Sequence, residues 1–212
     1  MTERIAEVRR LLDRYIVEIV ETYNFCPWAK AARLGGELAV DVLWGTPAPA
    51  AWIDAARRLL ALPATRVAMV VAPELAAPPH ELRMIRDYVA TRIPTAGVAE
   101  FHPDAELDLA TAARLVPFLR RSPDPLLQLV PLALLDRVRT HTTVVDVHDQ
   151  AQMLSGLAEP TRPDIADSLA DTNHARVSTD HAAIAATLDD IAADRRRSYA
   201  RAGIAINTGR SR

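Results

Sequence analysis

Residues 67–72 read Val-Ala-Met-Val-Val-Ala, six apolar residues in succession. A short apolar run of this kind is typical of a strand that is buried on both faces of an α/β sheet. Residues 38–44 alternate between apolar and polar or small side chains, which predicts a half-buried strand in the same sheet. Further strands are predicted at residues 97–101 and 126–130 and, at an edge of the sheet, at 142–147.

Helical periodicity fills the segments between these strands. Apolar residues at three- and four-residue steps predict a helix over residues 3–23. Pro27 predicts the first position of a short second helix that ends at Gly35-Gly36, with Cys26 at its N-cap. The remaining predicted helices lie at residues 52–60, after Pro78-Pro79, and at 108–119, 131–138, 164–172 and 181–201, the last with Asp180 as N-cap.

Strands that alternate with helices indicate an α/β fold. We expect a mixed-sheet α/β sandwich of about four to five strands with an N-terminal helix and a C-terminal helical extension. The α/β domain is expected to span residues 1–150, and residues 151–212 are expected to form the extension and to pack on the same domain.

Composition excludes several classes of protein. The chain has 212 residues and a formal net charge of −2, so it lacks the broadly basic surface of a nucleic-acid-binding protein. One cysteine excludes an internal disulfide and a zinc site built on several cysteines. The charged N-terminal segment and the lack of a long apolar run predict a cytoplasmic protein with no membrane span.

Cys26 is the first residue whose type and position suggest chemistry. The N-terminus of a helix lowers the pKa of a cysteine and favours the reactive thiolate. Lys30, one turn further along, would add positive charge and could contact a substrate. The alternative is a small apolar core cysteine between Phe25 and Trp28.

His102 and the segment Arg120-Arg121-Ser122 are the other candidates. His102 follows a predicted strand, and the carboxyl ends of strands are where α/β sheets usually bind ligands, so its imidazole is a candidate general base or metal ligand. Arg120 and Arg121 beside the hydroxyl of Ser122 are expected to clamp a carboxylate or phosphate. The alternatives are an exposed acidic loop around His102 and a solvated turn at the arginines.

Three motifs in register carry a resemblance to a known family. Residues 26–30 (CPWAK), 101–103 (FHP) and 121–125 (RSPDP) resemble the CPFAK, FHP and RSPYP motifs of the bacterial domain-of-unknown-function family 1415. The likeness covers about residues 8–140. Gln128 stands where that family usually has a strand histidine, and Asp124 replaces its aromatic residue. The resemblance implies no reaction, but it singles out Cys26, His102 and Arg121.

Three functions follow from these residues. The first is an enzyme for a small anionic substrate, in which Cys26 is the nucleophile or redox thiol, His102 the base, Arg121 the anion clamp and Gln128 a hydrogen-bonding group. The second is an enzyme that depends on a transition metal, zinc, iron or copper, with Cys26 and His102 as ligands and His148 or a carboxylate completing the set. The third is a non-catalytic module that binds a protein partner or forms a homodimer.

Overall fold

The computed structural model describes residues 1–135 and 165–206. Its centre is a sheet of four strands, β1 (Leu38–Val42), β2 (Val67–Val71), β3 (Ala96–Phe101) and β4 (Leu126–Pro131). The strand order is β1-β2-β4-β3. β1 and β2 are parallel, whereas β4 runs antiparallel to both β2 and β3. The predicted α/β fold with a mixed sheet is therefore confirmed.

Helices cover both faces of this sheet. They are α1 (Thr2–Tyr15), α2 (Ala29–Leu34), α3 (Pro49–Leu60), α4 (Pro79–Arg92), α5 (Ala112–Leu119) and α6 (Ile165–Ala202). The α1 helix continues without interruption into a π-helical segment, Ile16–Glu21, so the long N-terminal helix predicted from periodicity is present. No helix among the described residues is both long and apolar enough to cross a membrane.

Two hydrophobic cores fix the positions of these helices. On one face of the sheet, Trp52 of α3 and Leu82 of α4 are fully buried and share a core with Val70. On the other face, Leu11 of α1 and Ile184 of α6 share a second core with residues of β2, β4 and α5. The C-terminal helix thus packs on the same core as the N-terminal helix. The C-terminal ends of β2 and β3 and the N-terminal end of β4 therefore lie at the same end of the sheet.

The C-terminal part of the chain corrects one prediction. The sequence predicted two helices with a break between residues 172 and 181, but α6 is continuous across this region, so Asp180 is not an N-cap. The hydroxyls of Ser178 and Thr179 donate to the carbonyls of His174 and Ala175 within the helix and do not interrupt it. Of the helix predicted at 131–138, residue 131 ends β4 and residues 132–135 are helical, whereas residues 136–138, the strand at 142–147 and the domain boundary at 150 lie outside the described residues.

Candidate functional site

Cys26 lies in a turn before α2 and not at its N-cap. The helix begins at Ala29, with Trp28 as the preceding residue, and the Ala29 N–H donates to the Cys26 carbonyl at 3.1 Å. Pro27 is therefore not the first helical residue, and that prediction was wrong. Burial raises the pKa of the Cys26 thiol, although the backbone N–H groups of Trp28 and Ala29 partly oppose this effect. The environment therefore disfavours the thiolate that the sequence analysis expected.

The contacts that Phe25 and Arg121 make with helix α6 show how far Cys26 lies from Arg121. The Asn173 side chain donates to the carbonyl of Phe25, next to Cys26, at 3.2 Å. Arg121 forms an ion pair of 3.6 Å with Asp189, sixteen residues further along the same helix. At 1.5 Å per residue this spacing is about 24 Å. The structure therefore does not bring Cys26 and Arg121 into one cleft, and Lys30 is exposed on α2 beyond Cys26.

The imidazole of His102 is almost fully buried, and both its nitrogens have backbone partners. The Asp104 N–H donates to Nδ1 at 3.1 Å, which requires the proton to be on Nε2. Nε2 then donates to the Ala77 carbonyl at 2.9 Å. This neutral, fully bonded ring holds the loop after β3 against the loop before α4. It has no nitrogen left for a substrate proton or a metal.

The metal site predicted from Cys26, His102 and His148 finds no support in the described residues. Within residues 1–135 and 165–206, no three His, Cys, Asp or Glu side chains lie close enough together to hold a metal ion. His148 lies outside the described residues. Zinc, iron or copper binding therefore stays a prediction.

The motifs around His102 and Arg121 do meet in space. The His102 N–H donates to the Arg120 carbonyl at 3.1 Å, and Arg121 Nε donates to the Pro103 carbonyl at the same distance. The Ser122 hydroxyl is buried and donates to the Asp124 carbonyl at 2.6 Å. Residues 102–104 and 120–124 thus form two adjacent loops at the carboxyl end of β3. Ser122 closes one of these loops and is not exposed to a ligand.

A third contact fixes the second loop against α6. The Asp124 carboxylate is 1% exposed and accepts hydrogen bonds from Arg195 Nε at 2.7 Å and from the Tyr199 hydroxyl at 2.5 Å. Burial raises the pKa of Asp124, against the opposing effect of Arg195 and Tyr199. Asp124 is therefore a buried structural carboxylate that ties the second loop to α6.

Arg120 and Arg121 are neighbours in sequence but not a clamp. Arg121 extends toward α6 and lines a crevice of about 40 Å³ with Leu188 and Ile191. That volume suits a few water molecules, far below the several hundred Å³ of most ligand sites. Arg120 extends the other way, toward Glu100 on β3, with its guanidinium carbon 5.9 Å from the Phe101 ring.

Arg120 belongs to a cluster of three arginines around a single carboxylate. Glu100 on β3 lies 3.3 Å from Arg86, 3.6 Å from Arg83 and 3.8 Å from Arg120. We call these four residues the arginine cluster. Arg83 and Arg86 are one turn apart on α4, so both side chains leave the same side of that helix. The Arg83 and Arg120 side chains are 55% and 36% exposed, so the cluster opens to solvent.

The ion pairs of the arginine cluster are unusually long for this protein. The other arginine–carboxylate pairs on the described residues are 3.0 Å or shorter, apart from Arg121–Asp189 and a 3.2 Å pair between Arg86 and the exposed Asp87. A charge-assisted hydrogen bond has an N···O distance of about 2.7–2.9 Å. Arg86 Nε and Glu100 Oε2 are buried and have no hydrogen-bond partner among the described residues.

The pKa of Arg120 also reflects the concentration of positive charge in the arginine cluster. Burial lowers the pKa of the Arg120 guanidinium, Glu100 opposes this effect, and the positive charge of Arg86 adds to it. A guanidinium nevertheless stays protonated at neutral pH. The cluster therefore holds three positive charges close together, and Glu100 compensates only one of them.

Gln128 lies on the other side of the sheet from this cluster. Glu100 pairs with Leu127 and Ala99 with Gln128, so the side chains of Glu100 and Gln128 leave opposite faces. Leu127 and the α4 residues share one core, whereas Gln128 faces the layer of α1, α5 and α6. The predicted hydrogen bond from Gln128 to an anion held by Arg121 finds no support in this placement.

Comparison of the chain with known protein families, curated proteins and solved structures found no match.

Proposed function

We propose that this protein binds a small anionic ligand at the arginine cluster. The observation that carries the proposal is the contrast in ion-pair geometry. Most other arginine–carboxylate pairs among the described residues are 3.0 Å or shorter, but Arg83, Arg86 and Arg120 share one carboxylate at 3.3–3.8 Å. Guanidinium groups are donors only, so these three have donor capacity that an anion can use.

The position of the cluster in the fold adds support. Glu100 is the penultimate residue of β3, and Arg120 precedes the loop that leads into β4. Ligands of open α/β sheets are usually bound beyond the carboxyl ends of the strands. We therefore assign anion binding to Arg120 together with Arg83 and Arg86 of α4, and no longer to Arg121, which the sequence analysis had favoured.

The proposal includes no reaction. Burial disfavours the Cys26 thiolate and both His102 nitrogens are bonded to the backbone, so neither of the residues predicted to be catalytic is available to the proposed ligand. The backbone N–H of His102 donates to the Arg120 carbonyl and so fixes the backbone of Arg120 beside the end of β3. Formation of a homodimer stays a separate prediction.

Titration calorimetry at low ionic strength tests the proposal with three probes that share a phenyl ring: benzoate, benzenesulfonate and phenyl phosphate. We expect at least one to bind, and Arg120→Gln to weaken it about tenfold or more, since a hydrogen bond to a charged group contributes about 1.5–3 kcal/mol. Arg92→Gln is the matched control. Arg92 lies at the end of α4, and its guanidinium carbon is 3.5 Å from the centre of the Tyr88 ring on the same helix, so it does not take part in the cluster around Glu100.

The two variants separate site binding from general attraction to positive charge. Both lose one charge, so a non-specific effect would weaken binding equally in both and would count against the proposal. Binding of no probe by the unmodified chain would also contradict it. Added salt should weaken the interaction, because the cluster is partly exposed.

A further inference from the structure

We propose that the anionic group bound by the arginine cluster is a phosphoryl group, as in a phosphate monoester. This inference rests on the proposed function and specifies its ligand class. It follows from the number of charges in the cluster, from the number of guanidinium groups and from the behaviour of the carboxylate that is already there.

The charge of the cluster favours a dianion. Arg83, Arg86 and Arg120 carry three positive charges and Glu100 carries one negative charge, so two positive charges remain within the cluster. Asp87 contacts Arg86 at 3.2 Å, but its side chain is 64% exposed and is screened by solvent. A phosphate monoester carries a charge of about −1.5 to −2 at pH 7. It therefore compensates most of the excess, whereas a monocarboxylate leaves one charge uncompensated.

The geometry favours a group with three acceptor oxygens. The guanidinium groups come from two successive turns of α4 and from the end of α5, so they approach Glu100 from different chain segments. A phosphoryl group offers three terminal oxygens, one for each guanidinium, and arginine binds phosphate in a planar, two-pronged geometry. A carboxylate offers only two oxygens.

Glu100 itself shows what a carboxylate achieves in this position. Its closest arginine nitrogen is 3.3 Å away, and its buried Oε2 has no hydrogen-bond partner among the described residues. In the same protein, Glu21 and Arg33 form two hydrogen bonds of 2.6 and 3.0 Å. One carboxylate thus does not satisfy the three guanidiniums. A second acceptor group of higher charge would use the donors that Glu100 leaves open.

The three phenyl probes test this inference, because they hold the ring constant and vary the anion. Phenyl phosphate has three terminal oxygens and up to two charges, benzenesulfonate three oxygens and one charge, and benzoate two oxygens and one charge. We expect phenyl phosphate to bind at least tenfold more tightly than benzoate, with benzenesulfonate between them. The Arg86→Gln and Arg120→Gln variants should weaken phenyl phosphate by about tenfold each, and the Arg92→Gln control should not.

A variant of the carboxylate provides a readout that a merely structural site would not give. Glu100→Gln removes the negative charge beside the bound anion and should tighten phenyl phosphate by about tenfold, since like charges within a few ångströms repel strongly. Circular dichroism of the variant checks that the fold is kept. Unchanged or weaker binding in folded Glu100→Gln would overturn the inference.

The outcomes distinguish this inference from the proposed function. Binding that depends on Arg120 but is equal for benzoate and phenyl phosphate would overturn the phosphoryl group and leave anion binding intact. Benzenesulfonate as tight as phenyl phosphate would overturn the argument from charge. Binding that does not depend on Arg120 would overturn both proposals.

Discussion

Replacing Asp194 by asparagine tests how the two terminal helices are held together. One oxygen of the Asp194 carboxylate accepts hydrogen bonds of 2.7 Å from both Arg10 and Arg14 of α1, and the other accepts one of 3.1 Å from Arg10. These bonds, led by the one from Arg10, lower the pKa of Asp194 from its usual 3.8 to about 2. The Asp194 side chain is only 16% exposed, so solvent screens it weakly.

The pKa gives the size of the effect. A fall from 3.8 to about 2 corresponds to about 2.4 kcal/mol of stability at neutral pH. Arg10 is 39% exposed, so we reduce this figure to about 1–2 kcal/mol for solvent screening. We therefore expect Asp194→Asn to lower the free energy of unfolding by about 1–2 kcal/mol at pH 7, measured by urea denaturation with circular dichroism.

The pH dependence has a definite sign. The folded pKa is below the unfolded pKa, so the stabilisation is fully present above about pH 4 and is lost as the pH falls toward 2. The difference between the unmodified chain and Asp194→Asn should therefore fall to about half near pH 3. A variant that lacks this carboxylate cannot show that component, while other carboxylates titrate alike in both proteins.

Asp190 provides the matched control for this experiment. It also contacts Arg14, at 2.8 Å, but its side chain is 62% exposed and it has a single arginine partner. Asp190→Asn should change the free energy of unfolding by less than about 0.5 kcal/mol. Equal losses for the two variants, or a difference at Asp194 that does not shrink below pH 4, would refute the reasoning.

Three further predictions concern Cys26, Arg195 and Gly36. Because burial raises the thiol pKa, iodoacetamide at pH 8 should modify Cys26 more slowly in the native chain than in urea, and faster native modification would contradict the placement of this thiol. Arg195→Met leaves Asp124 buried without its cation and should lower the free energy of unfolding by about 3–5 kcal/mol in urea denaturation, with the exposed Arg196→Met as a near-neutral control. Gly36 has a φ of +67° and open space at its Cβ position, so Gly36→Ala should cost about 1 kcal/mol through backbone strain alone, and an unchanged urea midpoint would be evidence against that strain.

Most of the fold was predictable because it depends on local pattern. The apolar run at residues 67–72 is β2, which lies inside the sheet between β1 and β4 and is buried by helices on both faces. The helix predicted over residues 3–23 is present because its apolar residues recur at helical spacing and meet the second core. In both segments, most of the apolar residues that form the pattern in the sequence are buried in the cores.

The wrong predictions at Asp180 and Pro27 concern segments whose residues are compatible with two different local structures. Asp180 is a suitable N-cap and indicated the start of a separate helix, yet the nearby Ser178 and Thr179 side chains bond to carbonyls within α6, and the apolar contacts of α6 keep it continuous. Pro27 is well suited to a first helical position, but it is equally suited to the turn in which it lies. Propensity alone does not choose between such alternatives.

The candidate site was predictable only in part, for a reason that concerns distance along the chain. His102 and Arg120 were both selected from motifs, and the structure joins them by a backbone hydrogen bond. Arg83, Arg86 and Glu100 belong to no motif, and their approach to Arg120 depends on how α4, β3 and the end of α5 pack. A pair of arginines three residues apart on a helix is a weak indication by itself, because solvated helix faces carry the same pattern.

Arginine in this chain shows why function had to be inferred from contacts and not from residue type. Arg195 lies in a run of three arginines that looks like a solvated helix face, yet it bonds a buried carboxylate at 2.7 Å. Arg10 and Arg14 bond Asp194 at the same distance and hold α1 against α6. At the end of β3, in contrast, three arginines share a single carboxylate at distances too long for hydrogen bonds. Arg10, Arg14 and Arg195 already donate hydrogen bonds to carboxylates, whereas the arginines of the cluster have N–H donors that an anionic ligand can use.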